Sequence, residues 1–319
     1  MTSAPPHPPT IGHHVHKAVH PDLASAWAAS SRLATDCGFE PQAMQLFVMG
    51  PMNSTETLKP ADIAWLQQLK QQRQGAGPRI YVHGTYLDAI CGAKAHYAVK
   101  LITRELEICD QIGAVGLVIH LPKKPPKEVA AAIVRVLDAS GGRKTALMLE
   151  VASYKACPDT YETPAKLKAL FDEVPARLRS RLGIVVDTAH LWAAGVSCRT
   201  RGEMSAWLSA LQHELPSVHV MFHLNDQIHA LGAGRDEHAP LAHGTIWKGQ
   251  PIADSGLAVV LESGLPCILE RKSHAPVMEG IADNLLADYT VVAQFFSGLS
   301  RSPKIGEGHQ TKIEMRSQE

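Results

Sequence analysis

Short apolar runs recur along the chain, and each is followed by a longer stretch in which apolar residues return at three- and four-residue spacing. The runs are Ile11 to Val15, Met44 to Val48, Ile80 to His83, Val115 to His120, Ala146 to Glu150, Gly183 to Asp187, His219 to Leu224 and Cys267 to Glu270. Intervening segments such as Ala93 to Ile112 and Glu128 to Ala139 have the periodicity of amphipathic helices. Strand-like runs alternating with helical spacers are the signature of repeated β-α units and a parallel sheet. Eight of them predict a closed (β/α)8 TIM barrel, an α/β fold in a single domain, rather than an open sheet.

The ends fall outside this pattern. Residues 1–10 hold four prolines and little apolar content, and the stretch from Ser302 to Glu319 is polar without periodicity. A disordered segment over 1–10, a barrel domain over 11–300 and a disordered tail over 301–319 are the expectation. Thirty-one basic and thirty-one acidic residues cancel, so no global charge marks a nucleic-acid or membrane partner, and any polyanion site must be local. The six cysteines form no Cys-x-x-Cys pair, no leading signal segment is visible and no apolar run approaches the length of a membrane span. These features predict a soluble intracellular protein, in cytoplasm or nucleus, that takes no membrane partner.

Chemistry enters at the residues that close the runs. Runs three to six and run eight end in His83, His120, Glu150, Asp187 and Glu270, and run seven has His223 one position before its end. The C-terminal ends of all strands in a parallel barrel converge on one face, so these six side chains would share a pocket. Any one of them taken singly is more often a packing or capping residue. Together, several carboxylates in one crevice would repel unless a multivalent cation compensated them, and metal binding becomes the better reading. Asp187-Thr-Ala-His190 adds a histidine one turn beyond a strand-end carboxylate, and Asp236-Glu-His238 offers two alternate side chains on an extended loop. The nine ligand-type residues suit two or three ions with positions left open for water and substrate.

The segments Gly12-His-His-Val15, His83-Gly-Thr-Tyr-Leu87, Gly116-Leu-Val-Ile-His120, Met148-Leu-Glu150, Val185-Val-Asp-Thr-Ala-His190, His223-Leu-Asn-Asp226, Arg235-Asp-Glu-His238 and Ile268-Leu-Glu270 resemble endonuclease IV. That family comprises the trinuclear-zinc apurinic/apyrimidinic endonucleases. The likeness runs from about Ile11 to about Ser297 and fills the family's nine zinc-ligand positions in order. Wording such as Asp187-Thr-Ala-His-Leu-Trp192, Met221-Phe-His-Leu-Asn-Asp226 and Gly244-Thr-Ile-Trp-Lys248 is most similar to the branch found in large DNA viruses. For a viral member, the virion or virus factory is the implied location.

The resemblance implies a base-excision-repair hydrolase that cuts the phosphodiester 5′ to an abasic site in double-stranded DNA, leaves a 3′-OH and trims blocked 3′ ends. It implies three Zn2+ ions, with manganese an option at one position, and a monomer. By similarity, His83 and His120 hold the first zinc, and Glu150 bridges it to a second that also takes Asp187, His223 and Glu270. His190, Asp236 and His238 hold the third. Glu150 and Glu270 are the implied catalytic carboxylates, Glu270 helping to orient or deprotonate the attacking water. Three divalent ions against the set's four carboxylates leave about two positive charges, which gives a phosphate a local site on a neutral chain.

His14, Tyr86 and Leu87 match positions that meet the DNA. One departure stands out: where the family places an arginine wedge after strand two, this chain reads Met49-Gly-Pro-Met-Asn53. The neighbours His13, His16 and His20 are expected in a solvated leading segment. Lys123, Lys124 and Lys127 lie beside the expected site, where phosphate contact and plain solvation are equally open. The rival reading is a metal-dependent sugar isomerase or epimerase on the same barrel, because Glu150, Asp187, His223 and Glu270 alone resemble the metal quartet of that class. Such an enzyme has no need of the five further ligand types. A scaffold that kept the fold without the chemistry would have lost ligands, and none is lost.

Overall fold

A computed structural model of the chain describes residues 10–17, 20–72, 77–86, 90–92, 95–271 and 284–301. Its strands are β1 (Ile11–His14), β2 (Ala43–Phe47), β3 (Arg79–His83), β4 (Gly116–His120), β5 (Ala146–Glu150), β6 (Leu182–Asp187), β7 (His219–His223), the short β8 (Asp226–Gln227) and β9 (His238–Ala239), and β10 (Cys267–Leu269). Between them lie α1 (Leu23–Asp36), α2 (Pro60–Gln72), α3 (Ala95–Ile112), α4 (Pro126–Ala139), α5 (Pro164–Glu173), α6 (Ala176–Arg179), α7 (Thr188–Ala194), α8 (Arg201–Glu214), α9 (Gly256–Glu262) and α10 (Asn284–Arg301). Eight strands close a parallel barrel in the order β1, β10, β7, β6, β5, β4, β3, β2, as the alternation of runs predicts. An antiparallel pair of β8 with β9, absent from the sequence reading, follows β7.

Side chains alternate across each strand, so one set fills the barrel and the other meets the surrounding helices. Ala43, Tyr81, Val118, Met148, Val185, Met221 and Ile268 form the inner cluster, all fully buried. Two glycines make room for Met148: a Cβ at Gly116 would come within 2.5 Å of Met148 Cγ, and one at Gly183 within 2.2 Å of Met148 Sδ. One pleat period above this apolar floor stand Gln45, His83, His120, Glu150, Asp187, His223 and, just past the end of β10, Glu270. A floor of apolar side chains, in which the Tyr81 hydroxyl is the one polar side-chain group, gives charges above it little solvation from below, so they must compensate one another or hold a cation.

His13 corrects the expectation of a solvated leading segment, for it is fully buried. Alternation sends it to the outer face of β1, away from its neighbour His14. There it stacks on Trp27 of α1 with ring centroids 5.0 Å apart, and its ring nitrogens meet Ser30 Oγ at 2.6 Å and Tyr289 Oη of α10 at 2.7 Å. Burial, with a smaller push from His16, lowers its pKa to about 3, so it packs as a neutral imidazole. Beyond the first strand, Thr10 O accepts from Cys267 N and extends the β1–β10 seam. The six cysteines are free.

Candidate metal centre

Each ligand-type residue reaches the barrel mouth by a local route that its sequence dictates. Asp187 ends β6 and caps α7: its Oδ1 accepts from Ala189 N at 2.7 Å and His190 N at 3.1 Å, which fixes His190 in the first helical turn. The β8–β9 pair folds the loop after β7 back, and His238 Nε2 comes to 2.9 Å from Asp236 Oδ1. His190 Nε2 lies 3.4 Å from the same oxygen. Three groups of ligand atoms result, each lying within 4.8 Å of one another: His83, His120 and Glu150; Glu150, Asp187, His223 and Glu270; and Asp187, His190 and His238. Asp187, expected beside the second ion alone, therefore belongs to two groups, and Glu150 likewise to two.

Glu150 is the hub. Its Oε2 lies 3.3 Å from His83 Nε2 and 3.1 Å from His120 Nε2, and its Oε1 lies 2.9 Å from His223 Nδ1. Burial alone would raise the pKa of this carboxyl, but His223 and His120 outweigh it and hold the group well below the usual carboxylate range. The same balance, burial opposed by His223 and then His14, keeps Glu270 ionised.

Hydrogen-bond partners that can only accept settle which nitrogen of three histidines carries hydrogen. His83 Nδ1 faces Gly84 O at 2.8 Å and His190 Nδ1 faces Val151 O at 2.8 Å, so both rings donate there. In its neutral form each ring then turns the Nε2 lone pair toward a carboxylate oxygen, Glu150 for His83 and Asp236 for His190. The third case is His223. Gln45 Nε2 lies 2.5 Å from Glu270 Oε1, an oxygen that only accepts, so the other end of the amide, Oε1, must accept from His223 Nε2 at 2.8 Å. The neutral His223 lone pair is then on Nδ1, between Glu150 Oε1 and Glu270 Oε2 at 2.9 and 3.3 Å. Lone pair against lone pair is repulsive unless a positive charge lies between. Correspondingly, the carboxylates overcome burial and raise the pKa of His83, His190, His223 and His238. Among the described residues, Glu150 Oε2, His190 Nε2 and His238 Nε2 are buried and meet only their partners in carboxylate–imidazole ion pairs, with no further hydrogen-bond partner. Imidazoles oriented by backbone carbonyls and facing shared carboxylates are the donor set that borderline divalent ions such as zinc take, so these residues fit a divalent metal cluster.

Of the residues expected to meet DNA, His14 is buried beside the cluster, its Nδ1 taking a hydrogen bond of 3.1 Å from Gln45. Tyr86 is 48% exposed and stacks against His120 with ring centroids 5.6 Å apart. Leu87 lies outside the described residues. In the loop after β2, Met49 is buried while Met52 is 69% exposed, so Met52 is the methionine presented to solvent. Lys124 pairs with Glu128 at 3.4 Å.

Sequence reasoning missed Gln45, which is fully buried among ligand candidates. Its signal was a lone amide inside the apolar run Ala43-Met-Gln-Leu-Phe47. It also missed the support behind Asp187. Asn225 Nδ2 donates to Asp187 Oδ2 at 2.7 Å, Arg271 Nη1 donates to Asn225 Oδ1 at 2.8 Å, and Arg271 Nε pairs with Asp288 of α10 at 2.6 Å.

A family model described as a xylose isomerase-like TIM barrel matches residues 32–254. A probable AP endonuclease of African swine fever virus (isolate Tick/South Africa/Pretoriuskop Pr4/1996) is 30% identical over 265 residues, spanning 80% of this chain and 86% of the viral one. Among solved structures, that of AsfvAP:AG superposes with a TM-score of 0.77 at 24% identity, covering 92% of this chain and 99% of that one. Endonuclease IV from Thermus thermophilus superposes with a TM-score of 0.71 at 22% identity, covering 91% and 100% respectively. The chain belongs to the xylose isomerase-like TIM-barrel family, among the relatives that carry the name AP endonuclease.

Proposed function

We propose that this chain is a zinc-dependent apurinic/apyrimidinic endonuclease of base excision repair, which hydrolyses the phosphodiester 5′ to an abasic site in duplex DNA and leaves a 3′-OH. The observation that carries the reading is the grouping of ligand atoms around Glu150 and Asp187 into three adjoining sets. A one-metal isomerase would use the middle set and leave the other two without purpose. In the proposed assignment His83 and His120 hold the first ion, Asp187, His223 and Glu270 the second, and His190, Asp236 and His238 the third, with Glu150 shared between the first two. Bound divalent ions supply Lewis acidity there, lowering the pKa of a water and offsetting charge on the phosphoryl oxygens.

The residues do the rest. Glu270 is ionised and stands at the mouth, where it accepts the proton of the attacking water. His14, whose Nδ1 is taken by Gln45, has an Nε2–H left to donate to a phosphate oxygen. Tyr86, stacked on His120, and the exposed Met52 flank the flipped sugar, a distortion that costs least where the base is already missing. Trimming of blocked 3′ ends uses the same phosphodiester chemistry. The protein acts as a monomer inside the cell; no helix among the described residues is long and apolar enough to cross a membrane.

The test sets two substrates against each other: a duplex with one abasic-site analogue and a ketose, each with wild type and Glu270→Gln. Incision of the duplex, lost in the variant, supports the proposal. Ketose turnover without incision overturns it.

A further inference from the structure

The layer of inward side chains one pleat above the barrel floor forms the ring of the metal centre, and the member contributed by β2, Gln45, is not among the ligand candidates. Gln45 has no exposure to solvent and its amide is fully engaged. One N–H goes to Glu270 Oε1 at 2.5 Å, the other to His14 Nδ1 at 3.1 Å, and the carbonyl takes His223 Nε2–H at 2.8 Å. A neutral amide both donates and accepts in a single plane, so Gln45 satisfies an acceptor-only carboxylate and a donor imidazole at once.

We propose that Gln45 is the positioning residue of the second ion. It fixes the His223 tautomer so that Nδ1 faces the ion, and it ties down Glu270 Oε1 so that Oε2 turns the same way, 3.3 Å from His223 Nδ1. The inference rests on the metal-centre reading above. It accounts for how the His223 ring is held: His83 and His190 are each oriented by a peptide carbonyl, whereas among the described residues His223 has only side-chain partners for its ring. Partners of this kind change metal affinity by about 10–100-fold when removed. Gln45 touches two ligands of one ion and none of the ligands peculiar to the other two, so the effect is confined to one ion of the three.

The experiment is zinc retention by the full chain against a graded chromogenic chelator, for wild type, Gln45→Met and Gln45→Ala. Methionine keeps the volume of the side chain without its hydrogen bonds; alanine leaves room for water. Unfolding of the metal-free proteins is followed in parallel, and at least one variant is expected to match wild type there. The expected result is one zinc released about 10–100-fold more readily in both variants, the remaining zinc being retained as in wild type. Equal retention of every ion overturns the inference, as does uniform weakening of all of them, which marks Gln45 as mere packing. Wild-type protein that binds no zinc overturns instead the metal-centre reading beneath it, so the two failures are told apart.

Discussion

Nδ1 of His223 stands 2.9 Å from Oε1 of Glu150, and neither side chain has any exposure to solvent. Both sit one pleat above an apolar barrel floor, on strands that are not adjacent, and the same carboxylate reaches His83 and His120 with its other oxygen. The centre thus depends on one buried carboxylate more than on any histidine. Glu150→Gln keeps the shape and removes the charge that two ions share in the proposed assignment. We expect it to lower the zinc content by two ions per chain and to reduce incision about a thousandfold, equivalent to about 4 kcal/mol of transition-state stabilisation. Metal analysis beside single-turnover kinetics checks this; a Glu150→Gln protein with full zinc content would refute it.

Chelation tests the same centre through stability. Ions that bind the native chain and not the unfolded one each contribute about 2.7 kcal/mol when present at about a hundred times their dissociation constant. Removing them leaves lone pairs and carboxylates facing one another around Glu150 and Asp187. Thermal unfolding in the presence of a strong chelator should therefore begin about 5 °C or more lower than with zinc, and zinc should restore it. An unchanged midpoint would contradict a cluster that stabilises the fold.

The buried pair of Arg271 and Asp288 supports Asn225, and through it Asp187. Breaking one partner strands a charge in the interior, so Asp288→Ala should cost about 3–5 kcal/mol. The double variant Asp288→Leu, Arg271→Met should recover much of that, because two apolar side chains of similar size leave no charge unpaired. Denaturant unfolding of both proteins decides, and a double variant no more stable than Asp288→Ala would show that the pair itself is required.

His13 gives a pH signature independent of metal. Its folded pKa of about 3 lies below the unfolded value of about 6.5, so the unfolded chain binds the extra proton first. Stability from this site is complete above about pH 6.5 and is lost as pH falls toward 3, at about 1.4 kcal/mol per pH unit. His13→Gln, which does not titrate, should close the stability gap to wild type as pH drops from 7 to 5. Parallel stability curves for the two proteins would mean that His13 is not held neutral.

Met52 is a long apolar side chain held out on the loop after β2, where the resembled family carries a cation. The loop itself is braced, with Gly50 N bonded to Thr55 O at 2.8 Å and Tyr86 N to Pro51 O at 2.9 Å. If Met52 enters the DNA stack, Met52→Ala weakens binding to abasic-site duplex about tenfold while leaving its salt dependence unchanged, since no phosphate charge is neutralised. Titrations at several ionic strengths check it; a change in the salt slope would place the residue's effect elsewhere.

The barrel was legible in the sequence because each strand is covered on both faces and so reads as a short apolar run. The ligand-type residues were legible because they close those runs at the one face where strand ends converge. His13 was not, since its partners Ser30 and Tyr289 lie 17 and 276 residues away and only the pleat decides which of two adjacent histidines turns inward. Gln45 and the chain from Asn225 through Arg271 to Asp288 escaped for a related reason. Their meaning lies in what they touch across the barrel, and amides carry no ligand signature of their own. The short β8–β9 pair has too few residues to leave a periodicity.

The most direct measurement is the length and end chemistry of the product from a 5′-labelled duplex bearing a single abasic-site analogue, incubated with zinc-loaded protein and with chelated protein. One cut immediately 5′ to the lesion is expected, ending in a 3′-OH that a polymerase extends, with no cut after chelation. An intact duplex with zinc-loaded protein, or a cut that survives full removal of metal, would contradict it.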